Sequence, residues 1–260
     1  MRPRERQQEI ELLVNRRGHV TVDDLAEKLT VSRETIRRDL ASLQKKGRVR
    51  KCHGGARSVD AVPQQELTES PFAQRLVQNA PGKQAMAAMT ERLFAPGDTL
   101  FIDTGSTTFA VAESLASIPS LLVITNSPRI ASVICSRGNG KVFLIGGAYS
   151  AEVGENLGPL AIEQIEKFHT RHTVLTVGAI GPRGVMDFDL QEAEIARAMI
   201  ARSEMITVFA DHTKFDKQAV FEVAPLSSIA RVVTDRRPGE AMCQALKEAG
   251  VDLLVADPAS

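Results

Sequence analysis

The chain is short of cysteine, of long apolar runs and of net charge, and each shortage narrows what it can be. Its three cysteines, Cys52, Cys135 and Cys243, are scattered through 260 residues. An odd, dispersed set excludes a disulfide framework and offers no zinc-ligand spacing, so neither metal nor cofactor is implied. Cys52 sits in a basic stretch where a thiol could respond to oxidant, but packing is the expected role. No apolar run is long enough to cross a bilayer, and the charged start lacks the apolar core of a secretory leader, so a cytoplasmic chain with no membrane partner is expected. Repeats and low-complexity tracts are also missing. The formal net charge is zero, yet residues 1–60 hold 15 Lys and Arg against 9 Asp and Glu, while the rest holds 17 against 23. A basic head on an acidic body, in a chain longer than one ordinary domain, predicts two units, the first with the electrostatics of a DNA-binder.

The head is organised around Val31–Leu40. Ser32 suits an N-cap, and Ile36, Leu40 and Leu43 share one face at a period near 3.6. Glu34, Arg38, Ala41 and Lys45 then lie opposite that stripe, with Thr35 and Arg37 on its flanks. Upstream, Ile10, Leu13 and Val14 mark the buried side of a helix over residues 4–16, ended by Gly18. Thr21 caps a second helix running to Leu29, with Asp23 and Asp24 in its first turn and Val22, Leu25, Ala26 and Leu29 inward. Two helices joined by Thr30 and Val31 make a helix-turn-helix. After Gly47, the run Arg48 to His53 alternates basic residues with Val49 and Cys52, and Gly54 and Gly55 mark a turn, which reads as a wing. The expected DNA-binding set is Ser32, Arg33, Thr35, Arg37 and Arg38 on the helix, with Arg48, Arg50, Lys51 and His53 on the wing.

This pattern resembles a known family. Val31-Ser32, then Thr35-Ile36-Arg37-Arg38-Asp39-Leu40, Leu43, Gly47 and His53-Gly54-Gly55-Ala56 are similar to the signature of the DeoR family of bacterial transcription regulators. Lys51-Cys52 depart slightly from it. The resemblance implies operator DNA as a partner and repression as the mode of control.

The domain boundaries expected are residues 3–58 for the winged helix-turn-helix, 59–82 for a polar, proline-bearing linker and 83–260 for the body. Within the linker, Phe72 to Val77 is a short amphipathic patch expected to dock as a helix, and Arg75, Asn79 and Lys83 resemble a polar trio of the family that touches the effector domain. The body alternates strands at Thr99–Asp103, Leu121–Thr125, Lys141–Ile145, Thr173–Ala179, Met205–Ala210, Arg231–Thr234 and Asp252–Val255 with helices. Those helices are Lys83–Phe94, Thr107–Ser117, Pro128–Cys135, Pro159–Lys167, Leu190–Ala201 and Gly239–Ala249. Strands that are apolar throughout, alternating with helices, predict an α/β fold whose parallel sheet is flanked by helices.

Ligands in such folds bind outside the carboxyl ends of strands. Asp103-Thr104-Gly105-Ser106-Thr107-Thr108 follows the first strand and opens a helix, so Gly105 permits a tight turn while the hydroxyls of Ser106, Thr107 and Thr108 join free amides. That suits a phosphate, although an ordinary capped turn explains the spacing equally well. Asn126, Gly147, Asp211 and Lys214 lie at other strand ends, with Lys214 the expected phosphate cation, Asp103 and Asp211 the hydroxyl holders, and Gly147 as readily a plain turn. The Asp-x-Gly-Ser-Thr-Thr and Asp-His-x-Lys-Phe elements again resemble the DeoR sensor domain, which is similar to ribose-5-phosphate isomerase-type proteins. Leu100–Asp103 and Asp187-Phe188-Asp189 followed by Glu192 resemble the branch of glycerol-3-phosphate regulon repressors. Asp187, Asp189 and Glu192 are then either ligand contacts or caps, and Arg171-His172 stand where relatives often carry an acid. The expectation is a non-enzymatic repressor of a carbohydrate or polyol operon, a homodimer or homotetramer released from DNA by a phosphorylated sugar or polyol. The rival is a sugar-phosphate isomerase-like enzyme fused to a DNA-binding head.

Overall fold

The apolar stripes read from the first sixty residues meet in one small core. In a computed structural model, which describes residues 3–17, 19–52, 55–58, 71–137, 140–215 and 217–256, the chain divides into units Met1–Glu66 and Leu67–Ser260. The first unit runs α1 (Pro3–Arg17), β1 (His19–Thr21), α2 (Val22–Leu29), α3 (Arg33–Lys45), β2 (Val49–Cys52) and β3 (Gly55–Ser58). Ile10, Leu13 and Val14 of α1 pack on Val22 and Leu25 of α2 and on Ile36, Leu40 and Leu43 of α3, with Val20, Val49 and Ala56 supplied by the sheet. Both expected caps form: Thr21 Oγ1 accepts from the Asp24 amide at 3.1 Å and Ser32 Oγ from that of Thr35 at 3.2 Å. Thr30, in the left-handed region at φ 54°, ends α2 and turns the chain into α3.

Two features of this unit escaped the sequence. β1 joins the wing as a third antiparallel strand, in the order β1-β3-β2. Gly55, expected in a turn, lies in β3, paired with Thr21 and Cys52. A Cβ there would stand 2.3 Å from the Val20 carbonyl oxygen; close backbone approach, not turning, requires glycine. Gly18, His53 and Gly54, like the linker residues 59–70, lie outside the described residues.

The second unit opens with α4 (Phe72–Val77), α5 (Ala80–Ala88) and α6 (Thr90–Leu93). Within the stretch assigned to the linker, Phe72–Val77 forms α4, the docked helix expected of that patch, and residues 80–82 open α5; Phe72 is buried beneath the Arg129 guanidinium at 4.5 Å from its ring. The helix expected over Lys83–Phe94 breaks in two where the Thr90 hydroxyl donates back to the Ala87 carbonyl at 2.8 Å. There follow β4 (Thr99–Ile102), α7 (Ser106–Leu115), β5 (Leu121–Thr125), α8 (Pro128–Ser136), β6 (Gly140–Leu144), a hairpin of β7 (Ala148–Ser150) and β8 (Glu155–Leu157), and α9 (Pro159–Ile165). The chain continues through β9 (Thr170–Leu175), β10 (Ala179–Gly181), β11 (Gly184–Asp187), α10 (Leu190–Ala201), β12 (Ser203–Phe209), β13 (Phe221–Pro225), β14 (Arg231–Thr234), α11 (Glu240–Glu248) and β15 (Asp252–Val255).

All seven expected strands form one parallel sheet, in the order β15-β14-β12-β9-β4-β5-β6. The apolar character of the inner strands reflects burial on both faces, while the edge strands β6 and β15 stay partly exposed. Leu100 and Ile102 of β4 join Met86, Val111, Leu115 and Ile130 on one side, while Phe101 packs with Ala161, Ile165, Ile195 and Met199 on the other. A further core gathers Val208 and Val232 with Ala193, Met242 and Leu246. Outside the sheet lie the β7-β8 hairpin and a small antiparallel sheet, β10-β11-β13. From β4 the chain winds outward through β5 to β6, then returns to lay β9 on the opposite side of β4. That reversal makes the carboxyl ends of β4 and β9 the topological switch point, where such sheets open a crevice.

Candidate functional site

In the first unit, α3 is anchored by polar as well as apolar contacts. Asp39 is buried on its inner face, accepting from Arg6 Nε at 2.5 Å and Gln7 Nε2 at 2.9 Å, while Lys46 Nζ donates to Gln7 Oε1 at 2.9 Å. In the sequence Asp39 stood only as one member of the family motif, with no packing role. The opposite face is exposed and basic. Arg33 pairs with Asp23 at 2.7 Å, Arg38 with Glu34 at 3.5 Å and Arg48 with Glu11 at 3.6 Å, all on the surface. Arg37 has neither an ion pair nor a hydrogen bond among the described residues. Exposed pairs of this kind contribute about 1 kcal/mol or less, so an incoming phosphate can displace them. Ser32 is committed to the cap, where its hydroxyl also bonds Thr35 Oγ1 at 2.9 Å. Arg50, Lys51 and Cys52 lie on β2, but their side chains, with all of His53, lie outside the described residues.

In the second unit, the loop after β4 carries the expected cluster. Asp103, Ser106, Thr107 and Thr108 are all buried. Gly105 is the N-cap position of α7, and no side chain caps the helix. A Cβ on Gly105 would lie 2.1 Å from Thr176 Cγ2, so glycine is needed where the β4 and β9 loops meet at the switch point. Thr108 Oγ1 donates back to the Gly105 carbonyl at 3.1 Å. Beside Ser106 stands a buried cation: Lys83 Nζ donates to Ser106 Oγ at 3.0 Å and also to the Arg75 carbonyl.

The other expected residues divide. Asn126 is fully buried, donating through Nδ2 to Glu155 Oε2 at 2.7 Å and to the Asn156 carbonyl at 3.2 Å, and accepting from Thr104 Oγ1 at 3.2 Å. Gly147, at φ 156°, packs where a Cβ would meet the Leu157 carbonyl at 2.6 Å, a closeness set by the hairpin. Asp211 caps the short turn bearing Lys214, accepting from the Thr213 amide and hydroxyl at 2.8 and 2.6 Å. Asp189 is the N-cap of α10, accepting from the amides of Gln191 and Glu192, which makes it a cap. Asn79 of the polar trio donates to Asp235 Oδ2 at 2.9 Å. His212 donates to the same carboxylate through its amide and its ring, and these hydrogen bonds outweigh burial to hold Asp235 below the usual carboxylate range.

Glu155, on which sequence reading placed nothing, is the least expected member. It is 1 % exposed, and burial above all, with Asp187 nearby, raises its pKa to about 7 against the pull of Asn126, Thr104 and Arg75. Asp103 is pushed well above the ordinary carboxylate value by burial and then by Glu155 and Asp187, opposed by the Thr104 amide. Burial and mutual repulsion thus push both carboxyls upward together.

The chain matches the DeoR-like helix-turn-helix domain over residues 6–62 and the DeoR C terminal sensor domain over residues 78–236. The chain belongs to the DeoR family. Among curated DeoR-type relatives, the HTH-type transcriptional repressor CsqR of Escherichia coli is 31 % identical, covering 96 % of this chain and 94 % of its own length. The Transcriptional repressor AccR of Agrobacterium fabrum is 34 % identical over 89 % of each chain. The Glycerol-3-phosphate regulon repressor of E. coli is 29 % identical over 93 % of this chain and 94 % of its own. Among solved structures, ribose 5-phosphate isomerase A from Neisseria gonorrhoeae is similar at 12 % identity and a TM-score of 0.39, over 55 % of this chain and 56 % of that one. In this DeoR chain the sensor match contains Lys83, Ser106, Asn126 and Glu155, and the helix-turn-helix match contains all of α3. No described helix is long and apolar enough to cross a membrane.

Proposed function

We propose that the chain is a transcriptional repressor whose body releases the head from operator DNA when a phosphorylated small sugar or polyol binds at the switch point. The observation that carries the sensor half is the start of α7. Its first-turn amides have no side-chain cap, Ser106 and Thr107 are buried beside them, and the Lys83 ammonium stands 3.0 Å from Ser106. An anion completes such a turn, and a phosphate with its several acceptor oxygens suits amides, hydroxyls and ammonium together. Lys214 and Asp211, from the end of β12 two strands along the sheet, complete the contacts. Asn126 and Gly147 shape the crevice more than they bond within it.

For the head, α3 enters the major groove with Thr35, Arg37 and Arg38 toward the bases and backbone, while the wing residues Arg48, Arg50, Lys51 and His53 lie along phosphates. Two or four copies reach paired half-sites, and effector binding changes operator affinity roughly 5- to 150-fold, a coupling of about 1 to 3 kcal/mol. The body works as a sensor, not a catalyst, as the names of its relatives support. Arg37→Ala with Arg38→Ala is expected to weaken operator binding at least about tenfold without altering thermal stabilisation by phosphosugars. Lys214→Ala should do the reverse, leaving a protein that binds DNA but is not released. Retained operator affinity in the arginine variant would overturn the docking face. Phosphosugar turnover that disappears on replacing Lys214 would overturn the sensor assignment.

A further inference from the structure

Glu155 begins β8 inside the molecule, and only one of its two carboxylate oxygens is used. Oε2 accepts from Asn126 and the Thr104 hydroxyl acts on the same carboxyl, but Oε1, though buried, has no partner at hydrogen-bond geometry among the described residues. Leaving a buried carboxylate oxygen unbonded is costly, and folded proteins rarely do so without a functional reason. Asp103 and Asp187 bring further acid to the same place. A metal ion is a poor candidate, because among the described residues no three acidic, histidine or cysteine side chains gather in a metal-holding arrangement. A ligand ammonium is no better, since Arg75 already acts on Glu155 and Lys83 already serves the adjoining α7 start. A hydroxyl fits whichever form the acid takes: it donates to the carboxylate and accepts from the carboxyl.

The placement ties this oxygen to the anion site. Asn126, which holds Oε2, also accepts from Thr104, and Thr104 is two residues from Ser106 at the start of α7. We infer that Glu155 reads the hydroxylated end of the effector, its Oε1 bonding a ligand hydroxyl while the phosphate sits at the first turn of α7. The effector class is accordingly a compact phosphate monoester carrying free hydroxyls, not bare phosphate and not an aminated ester. This rests on the anion site proposed above and adds to it the residue that sets specificity.

Calorimetric titration of the full-length protein tests it, with glycerol 3-phosphate, ribose 5-phosphate and glucose 6-phosphate each compared with ethyl phosphate, which has no hydroxyl. The wild type is expected to prefer at least one hydroxylated ester by about tenfold or more, the value of a hydrogen bond to a charged group. Glu155→Ala should bring that preference to within about threefold while ethyl phosphate binds as before, and Glu155→Gln, which keeps the side chain's volume, should show the same direction. Unchanged ethyl phosphate binding establishes that either variant is folded. A preference that survives in both variants, or a wild type that does not discriminate, overturns the role of Glu155 and leaves the anion site standing. A wild type that binds none of the four esters overturns the anion site and the inference with it.

Discussion

The two ends of the central sheet each bury a carboxylate, and they treat it in opposite ways. At the amino ends of β4 and β9, Asp98 is 6 % exposed and fully employed. It accepts from the Ala95 amide at 2.8 Å and from Arg171 Nη1 at 3.0 Å, and it faces His172 Nε2 at 3.3 Å. At the carboxyl ends, Glu155 is buried more deeply and keeps an oxygen idle. The contrast separates a structural acid, both of whose oxygens are bonded within the chain, from one held in reserve. It also accounts for Arg171 and His172: both serve Asp98, and the imidazole meets the Phe94 ring edge-on at 5.2 Å.

The largest effect should come from removing Asp98 at the amino end. Asp98→Ala strands a buried imidazole and the Ala95 amide, and should cost about 2 to 4 kcal/mol in urea denaturation of the second unit while leaving phosphate-ester binding intact. A loss below about 1 kcal/mol would mean that Asp98 is not the structural acid described.

Replacing the reserve acid should act in the opposite direction. Because the pKa of Glu155 is raised from 4.5 to about 7, its protonated form is favoured by the fold. That contribution is complete below about pH 4.5 and is lost as pH climbs through about 7. Glu155→Gln, neutral at every pH, should therefore raise the melting temperature at pH 8 by a few degrees and change little at pH 4.5. Equal melting temperatures at both pH values would contradict the burial effect.

The smallest effect belongs to His172. Burial first, with Arg171 and Arg231, lowers its pKa below the ordinary 6.5 although Asp98 pulls the other way. Its neutral form stabilises the fold above about pH 6.5, and that contribution fades as pH falls through the lowered value. His172→Gln should slightly flatten the acid limb of the stability profile below about pH 6.5. An unchanged acid limb would remove His172 from the comparison.

These differences also explain what could be read in advance. The seven parallel strands were legible because burial on both faces leaves unbroken aliphatic runs, and the caps Thr21 and Ser32 because hydroxyls before apolar stripes have a local cause. The Asp103–Thr108 segment was visible because glycine and hydroxyls follow a strand directly. β9 starts three residues earlier than expected, since Thr170, Arg171 and His172 look like a loop until Ser203 and Asp98 are seen to satisfy them. Glu155 had no local signal. Glu-Asn-Leu reads as loop, and its meaning depends on a hairpin that sets it against Asn126, 29 positions away. Lys83 was noticed only as one of a polar trio, and its contact with Ser106 is likewise a product of tertiary packing.

The buried carboxylate beneath α3 bears on any attempt to rewire which promoters the protein addresses. Arg6 and Gln7 grip Asp39 from another helix, so the reading surface is not a detachable cassette. Exchanging the outward side chains at positions 35, 37 and 38 respects that joint, whereas transplanting the whole helix into a host that lacks its partners from α1 would bury an orphaned charge. New binding preferences are therefore best engineered residue by residue, or by moving the two helices together.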